Sequence, residues 1–406
     1  MHVAFWSPAW PLQKFQNGII TYVHWMKREL ESQGHLVSVF TAEMDATSED
    51  PNVHLVGRDA AIVFSKAFNK HIRRRRPSYR EIFDFGAAIA RTIKKVNREN
   101  PIDIVEMEES FGWCADVARL TSLPLVVKLH GPAFTSMVED ELVSPMGLER
   151  IEREGHALSK IESIVAPTEL ILRLTLERYG LKPRDSRRIV NPVVMDKQTP
   201  LWSRNGCDTN CVLFVGRFDL LKGGDVVLKA FASAAKKNKN LRMIFVGPDN
   251  GIVGPGGKRL HFNEFRDSVL PVDVRARVDY RGRMANNEIM ALRTKSMLTV
   301  IASRWENQGY ALLEAMFQGC PVISTDAGGC PESVVDGVTG VLAKSEDPES
   351  FSQQILAVVN DQVRAEALGR AARQHVIKEH AADKVAESSL EMYARVIDRH
   401  RTQNKP

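Results

Sequence analysis

The most constraining feature of this chain is an alternation of short apolar runs with helix-length segments, played through twice. "HVAFWS" (His2–Ser7) reads as a buried strand. "GIITYVHWMKRELESQG" (Gly18–Gly34) follows with apolar residues at helical spacing, and "HLVSVFTA" (His35–Ala42) is the next strand. Strand–helix–strand order calls for a parallel sheet covered by helices. "DIVEMEE" (Asp103–Glu109), "PLVVKLHG" (Pro124–Gly131) and "SIVAPT" (Ser163–Thr168) continue the series. Asn191–Gly206 carries Pro, Gly and polar residues without helical period and reads as a linker. The pattern then restarts with "CVLFVG" (Cys211–Gly216), a helix from Asp225, "LRMIFVG" (Leu241–Gly247), "VDYRG" (Val278–Gly282), "MLTVIAS" (Met297–Ser303) and "CPVIST" (Cys320–Thr325).

The fold class this predicts is α/β, with two Rossmann-like, doubly wound domains in tandem. The expected division is a first domain over 1–190, a linker over 191–206 and a second domain over 207–375. A closing helix over 376–406 is expected to pack back on the first domain. The Gly-rich stretch Gly247–Arg259 fits neither a P-loop nor a G-x-G-x-x-G turn and reads as a flexible insertion.

Composition narrows the class. Apolar residues make up 44% and charged residues 26% of the 406, ordinary for a globular protein, and the net charge of +5 is too mild to argue for nucleic acid. The charge is uneven: Pro51–Asn100 holds twelve Lys/Arg against four Asp/Glu, densest in "KHIRRRRPSYR" (Lys70–Arg80). A solvated helix or loop is one open reading; the other is contact with an anionic surface, either membrane lipid head groups through Lys66–Arg80 or a phosphate-bearing acceptor. The five cysteines are irregularly spaced and lack a second Cys or His pair, so free thiols in a reducing compartment are expected rather than zinc. No signal peptide and no apolar run of about 20 residues is visible, so a cytoplasmic location with at most peripheral membrane contact is expected.

The chemistry gathers in "RWENQGYALLEAMFQGCPVISTDAGG" (Arg304–Gly329). In doubly wound domains ligands sit beyond the carboxyl ends of strands. The loop after "MLTVIAS" carries Glu306. Gly309 turns the chain into a helix that carries Glu314 and stops at Gly319. The amides of Gln308, Gly309 and Tyr310 at that helix start favour an anion. Carboxylates accept hydrogen bonds from vicinal hydroxyls, so Glu306 and Glu314 suit sugar rings; a cap and an ion pair with lysine are their plainer roles. "FVGRFDLLKGGD" (Phe214–Asp225) places Arg217 and Lys222 in a turn on the same sheet edge. No Asp-x-Asp is present to hold a divalent ion beside a diphosphate, so these two cations are its natural partners. At the end of a first-domain strand, Glu106, Glu108 and Glu109 are open to two readings: acids for sugar hydroxyls, or surface acids and a helix cap.

Taken together, Gly216-Arg217 with Lys222-Gly223, then Glu306 and Glu314 leading into "EAMxxGxPVI" and "GGxxE", resemble the retaining GT-B glycosyltransferases of family 4. These motifs cover Cys211–Leu342. The first half matches more loosely, through "NGIITYV" (Asn17–Val23) and "KLHGP" (Lys128–Pro132). The resemblance implies two domains facing a central cleft. It also implies transfer of a hexose, with retention and without a metal or other cofactor, from a UDP- or GDP-linked donor. The acceptor would be a hydroxyl on a glycan, a lipid-linked sugar or a small molecule. It implies Arg217 and Lys222 on the diphosphate and Glu314 on the ribose. Glu306, Asn307, Gln308, Gly309 and Tyr310 would lie at the donor sugar and phosphates, and Met284 near the base. Asn17 and Gly18 would form a first-domain loop, and His130 would face the acceptor hydroxyl. Two departures stand out: Asn17 precedes Gly18 where a double Gly is common, and Asn307-Gln308-Gly309 replaces Gly-Phe-Gly. A degenerate GT-B binding subunit and a GT-B epimerase or phosphorylase are the alternatives.

Overall fold

The computed structural model describes residues 1–15, 17–46, 48–57, 85–136, 142–194, 199–254 and 257–403. The basic stretch Lys66–Arg80 lies outside them. The chain forms two compact units, one of Met1–Pro192 with Ala382–Pro406 and one of Val193–Ala381.

The first unit is built on β1 (His2–Trp10), β2 (Leu36–Met44), β3 (Val53–Leu55), β4 (Ile104–Met107), β5 (Leu125–Lys128), β6 (Ser163–Ala166) and β7 (Asp185–Arg188). They form one parallel sheet in the order β3-β2-β1-β4-β5-β6-β7. All nine residues of β1 are buried, as a central strand covered on both faces requires. The helix Gly18–Ser32 lays Ile20, Val23, Met26 and Leu30 against the sheet at helical spacing. The last helix, Ala382–Gln403, buries Val385, Met392, Tyr393 and Val396 in this unit. Its Tyr393 hydroxyl donates to Glu106 Oε2 at 2.7 Å, and Arg395 Nε donates to Asp185 Oδ2 at 3.2 Å.

The second unit contains β8 (Asp208–Val215), β9 (Arg242–Val246), β10 (Ile252–Val253), β11 (Arg259–Leu260), β12 (Val278–Gly282), β13 (Ser296–Ile301), β14 (Val322–Thr325) and β15 (Val341–Ala343). Six of them form a parallel sheet ordered β12-β9-β8-β13-β14-β15. Phe214, Phe218, Phe245 and Phe262 fill one side of its core, with Phe262 stacked on Tyr280 at 4.1 Å between ring centres.

Two expectations change here. The Gly-rich stretch is not a bare loop: β10 and β11 pair antiparallel, Ile252 opposite Leu260 and Val253 opposite Arg259. Gly251, at φ +68, makes room for the Arg259 side chain beside that ladder. The segment read as a linker is partly docked. Trp202 is 9% exposed, and its indole Nε1 donates to Ser296 O at 2.8 Å.

In both sheets the strand order reverses direction beside the first strand, at β1/β4 and at β8/β13. That reversal opens a crevice beyond the carboxyl ends of the two strands, the usual ligand position in such sheets. The loops that follow β8 and β13 carry Arg217, Lys222, Glu306 and the Gly309 turn.

Candidate active site

The loop after β8 is organised by Asp219. Its carboxylate accepts from the Lys222 amide at 2.8 Å and from Arg217 Nε at 2.7 Å. Gly223 then turns the chain at φ +69 into the helix Gly224–Lys237. A Cβ there would stand 1.8 Å from the Ala302 carbonyl oxygen, so only glycine lets this turn press against the end of β13. The turn delivers Lys222 to Glu306. Its Nζ lies 2.5 Å from Glu306 Oε1, and the Ser303 hydroxyl donates to the same oxygen at 2.8 Å. The cation predicted for a diphosphate and the acid predicted for a donor sugar are therefore one ion pair, with side chains 26% and 13% exposed.

The two loops are locked to one another by Arg304. Its guanidinium makes a two-pronged contact with Asp225 (Nη1 to Oδ1 2.8 Å, Nη2 to Oδ2 2.9 Å) and its amide donates to Leu221 O at 2.9 Å. Sequence reasoning passed over Arg304, Asp225 and Asp219. The signal for Asp219 was its place two residues after Arg217 in a strand-to-helix turn. Arg304 and Asp225 are far apart in sequence and carried none.

The Glu306 backbone is clasped by the next loop. Gly329 N donates to Glu306 O at 2.7 Å. A Cβ on Gly328, at φ +59, would come within 2.2 Å of that oxygen, which gives the GGxxE run its physical reason. Trp305 Nε1 donates to Asn307 Oδ1 at 2.9 Å, and Gln308 is 5% exposed with its amide near Ser333 Oγ at 3.5 Å. The Asn307-Gln308 departure is thus built into the loop.

Gly309 is the N-cap of the helix Tyr310–Phe317 and supplies no side-chain cap. The same holds for Gly223 at the start of Gly224–Lys237. Two helix starts without side-chain caps therefore follow two adjacent strands. Helix geometry gives their first-turn amides no partner within the helix, and both dipoles favour an anion. The Tyr310 hydroxyl is buried without a hydrogen-bond partner among the described residues, and burial, then the nearby Glu314 charge, raises its pKa well above that of a free phenol.

Glu314 sits in the second turn of Tyr310–Phe317 and pairs with arginine rather than lysine. Arg293 Nη2 lies 3.0 Å from Glu314 Oε2, its Nη1 donates to Gln318 Oε1 at 3.3 Å, and the Arg293 side chain is fully buried. Gln318 spends its own amide on Pro200 O and Met290 O. Arg293 was also missed, because one arginine on a polar helix (Asn286–Lys295) looks like surface charge. Met284 lies in the turn that follows β12, partly buried, two strands away from β8.

In the first unit, Asn17 caps the helix Gly18–Ser32 with its side-chain Oδ1, which accepts from Ile19 N at 2.8 Å; Gly18 begins the helix. His130 follows β5 and packs edge-on against Tyr22 at 5.0 Å. Burial, and then the charge of Lys128, pushes its imidazole down to about 3, so it is neutral near pH 7. Glu106, Glu108 and Glu109 are not surface acids. They are 3%, 4% and 0% exposed, and accept from Tyr393, from the Ser110 amide and from the His130 and Gly131 amides respectively. All five cysteines are free thiols. No helix among the described residues is long and apolar enough to cross a membrane.

Two doubly wound units, the second with cations, acids and two Gly-capped helix starts around its strand-order reversal, define an α/β protein of two parallel sheets. The model of glycosyl transferases group 1 matches residues 204–375, and that of glycosyltransferase family 4 matches residues 16–197. The chain belongs to the family 4 glycosyltransferases. D-inositol 3-phosphate glycosyltransferase of Thermobifida fusca is 28% identical over 65% of this chain, and the match spans 62% of that relative's length. The enzyme of the same name from Acidothermus cellulolyticus is 26% identical over 95% of this chain and 87% of its own. Among solved structures, sucrose-phosphate synthase from Thermosynechococcus elongatus superposes with a TM-score of 0.73 at 17% identity, covering 98% of this chain and 99% of that one. HepE of Anabaena, solved with UDP-glucose, gives 0.69 at 15% identity, covering 97% and 100%. At these identities the structures establish the GT-B fold.

Proposed function

We propose that this protein transfers a hexose from a UDP- or GDP-linked donor to a hydroxyl acceptor, with retention at the anomeric carbon and without a metal ion. The observation that carries this reading is the Lys222–Glu306 pair beside two Gly-capped helix starts at the β8/β13 reversal. A diphosphate entering there meets Lys222, Arg217 and the first-turn amides of Tyr310 and Ala311. As the glycosidic C–O bond breaks, negative charge grows on the leaving phosphate oxygen, and these fixed charges and dipoles stabilise it. Lys222 then exchanges part of its contact with Glu306 for the phosphate, which frees a Glu306 oxygen for the donor-sugar hydroxyls. Glu314, steadied by Arg293, takes the ribose diol, and Gly282–Met284 lies against the base. Two support lines come from neighbours: HepE of Anabaena is solved with UDP and with UDP-glucose, and the curated relatives are named for glycosyl transfer to a phosphorylated inositol.

His130 is read as the acceptor-side group. Being neutral, it serves as a hydrogen-bond partner for the acceptor hydroxyl rather than as a cation. The proton leaves with the departing phosphate, which is basic once the bond to carbon has gone. Attack from the leaving-group face then preserves the anomeric configuration. The test is proton NMR of the first product formed from a donor of known anomeric configuration, with EDTA present. Retention with undiminished rate is expected. An inverted product, or turnover abolished by EDTA and restored by a divalent cation, contradicts the mechanism.

The Lys66–Arg80 segment is proposed to hold the protein on anionic membrane. Flotation with vesicles rich in anionic lipid should carry the protein upward at low salt and release it at about 0.5 M salt, where screening is short-ranged. Equal flotation with neutral vesicles would remove this proposal.

A further inference from the structure

We propose that Glu109 is a positioning residue for transfer, which sets the His130–Gly131 turn by accepting both of its backbone amides. The proposal rests on the acceptor-side reading of His130 given above. Glu109 Oε2 takes His130 N at 2.9 Å, and Oε1 takes Gly131 N at 2.7 Å. A carboxylate with two oxygens is the one side chain that accepts twice in this geometry. Both amides are thereby committed to the protein, so an incoming ligand meets the His130 ring and not a pair of free N–H groups.

The clamp has a second member. Glu154, fully buried in the helix Pro145–Leu158, takes Ala133 N at 2.7 Å on one oxygen, and Phe111 N at 3.2 Å with Arg150 Nε at 2.7 Å on the other. The chain between the two clamps bends sharply, with Phe111 at φ +59 and Gly112 at φ +72. A Cβ on Gly112 would come within 2.7 Å of Arg153 O, so the loop after β4 is pressed against that helix. The loops that follow β4 and β5 are thus tied to one another by buried acids.

Burial of like charges has a consequence for pH. Glu109 faces Glu108 on its own loop, Glu154 and Arg150 on the helix behind, Cys114 on the helix Trp113–Thr121, Tyr179 on the helix Glu169–Tyr179, and the His130 backbone in the turn after β5. Three carboxylates share one guanidinium. Burial first, then the charges of Glu108 and Glu154, raises Glu109 to about 8. A carboxylate whose folded pKa lies above its unfolded value gives stability that is fully present below about 4.5 and lost as pH rises through about 8. Ionised Glu109 accepts two amides well. Protonated Glu109 has one good acceptor oxygen and one hydroxyl. Positioning therefore tightens with rising pH while the stability contribution falls.

The test is Glu109→Gln, a neutral isostere, followed in three ways from pH 6.5 to 9. In wild type the His130 and Gly131 amide protons should move downfield together with a midpoint near 8, and in the variant this shared step should vanish. The variant's kcat should fall tenfold or more at pH 9, with the gap narrowing toward pH 6.5 and donor KM within twofold. Its melting temperature at pH 9 should equal or exceed that of wild type. An unchanged kcat in a protein whose wild type is active overturns the positioning role, and so does a kcat loss that tracks a loss of stability. Amides that do not titrate together overturn the clamp. A wild type with no transferase activity on any donor is a different failure: it removes the transferase reading on which the positioning role rests.

Discussion

Lys222→Met is expected to lower kcat/KM for the nucleotide sugar by about 10²- to 10³-fold, the loss that follows removal of one fixed charge-stabilising donor from a developing oxyanion. Lys222 is held at 2.5 Å from Glu306 and only 26% exposed, so its charge acts in a partly desolvated site. Removing it also leaves the Glu306 carboxylate, 13% exposed, with the Ser303 hydroxyl as its side-chain partner among the described residues. The pair should therefore couple. Glu306→Gln alone lowers turnover, and the double variant loses less than the product of the two single losses. Steady-state kinetics of the four proteins provide the cycle. Independent, multiplicative losses would show that the ion pair is not the unit that meets the donor.

The second large effect concerns Glu314. Cutting it to alanine leaves the guanidinium of Arg293, which is fully buried, with Gln318 and the Ala311 carbonyl as its partners among the described residues. Breaking a buried pair from one side costs about 3–5 kcal/mol. That is a drop in melting temperature of roughly 10 °C for a unit of this size. Glu314→Gln keeps an acceptor for Arg293 and should melt within a few degrees of wild type. With Glu314 in its proposed role on the ribose diol, both variants lose that grip, so donor KM should rise at least tenfold in each. The comparison separates the two jobs: a thermal melt reads the Arg293 pair, and donor KM at fixed acceptor reads the diol. A Gln variant with wild-type KM would remove Glu314 from the donor site.

How much of this was legible depended on which face of an element carried the signal. β1, β8 and β13 are covered on both faces, so "HVAFWS", "CVLFVG" and "MLTVIAS" stand out as unbroken apolar runs. β7, "DSRR", has no buried residue and lies at the edge of its sheet, and β3 and β15 have three residues each; none had a run to read. β10 and β11 are two residues long and owe their pairing to the Gly-rich turns around them, which hid them. In the site, residues with unusual local company were visible: Arg217 and Lys222 in a Gly-flanked turn, Glu306 before a Gly-started helix. The groups that fix those residues were not. Arg304 reaches Asp225 across 79 positions and Arg293 reaches Glu314 across 21. Such pairings exist only once the strands are in register. Glu108 and Glu109 stayed open between sugar-binding acids and surface acids for the same reason: the amides that Glu109 accepts come from the turn after β5, and the Arg150 charge beside both acids comes from the helix Pro145–Leu158, which only the fold brings to them.

The proposed chemistry requires the β8/β13 reversal to grip a diphosphate. The most direct measurement is calorimetric titration of the wild type and of Lys222→Met with UDP, GDP, UMP and GMP. One diphosphate should bind at least tenfold tighter than its monophosphate, and that advantage should shrink to near unity in the variant. Equal affinity for diphosphate and monophosphate in the wild type, or an advantage untouched by the loss of Lys222, would contradict it.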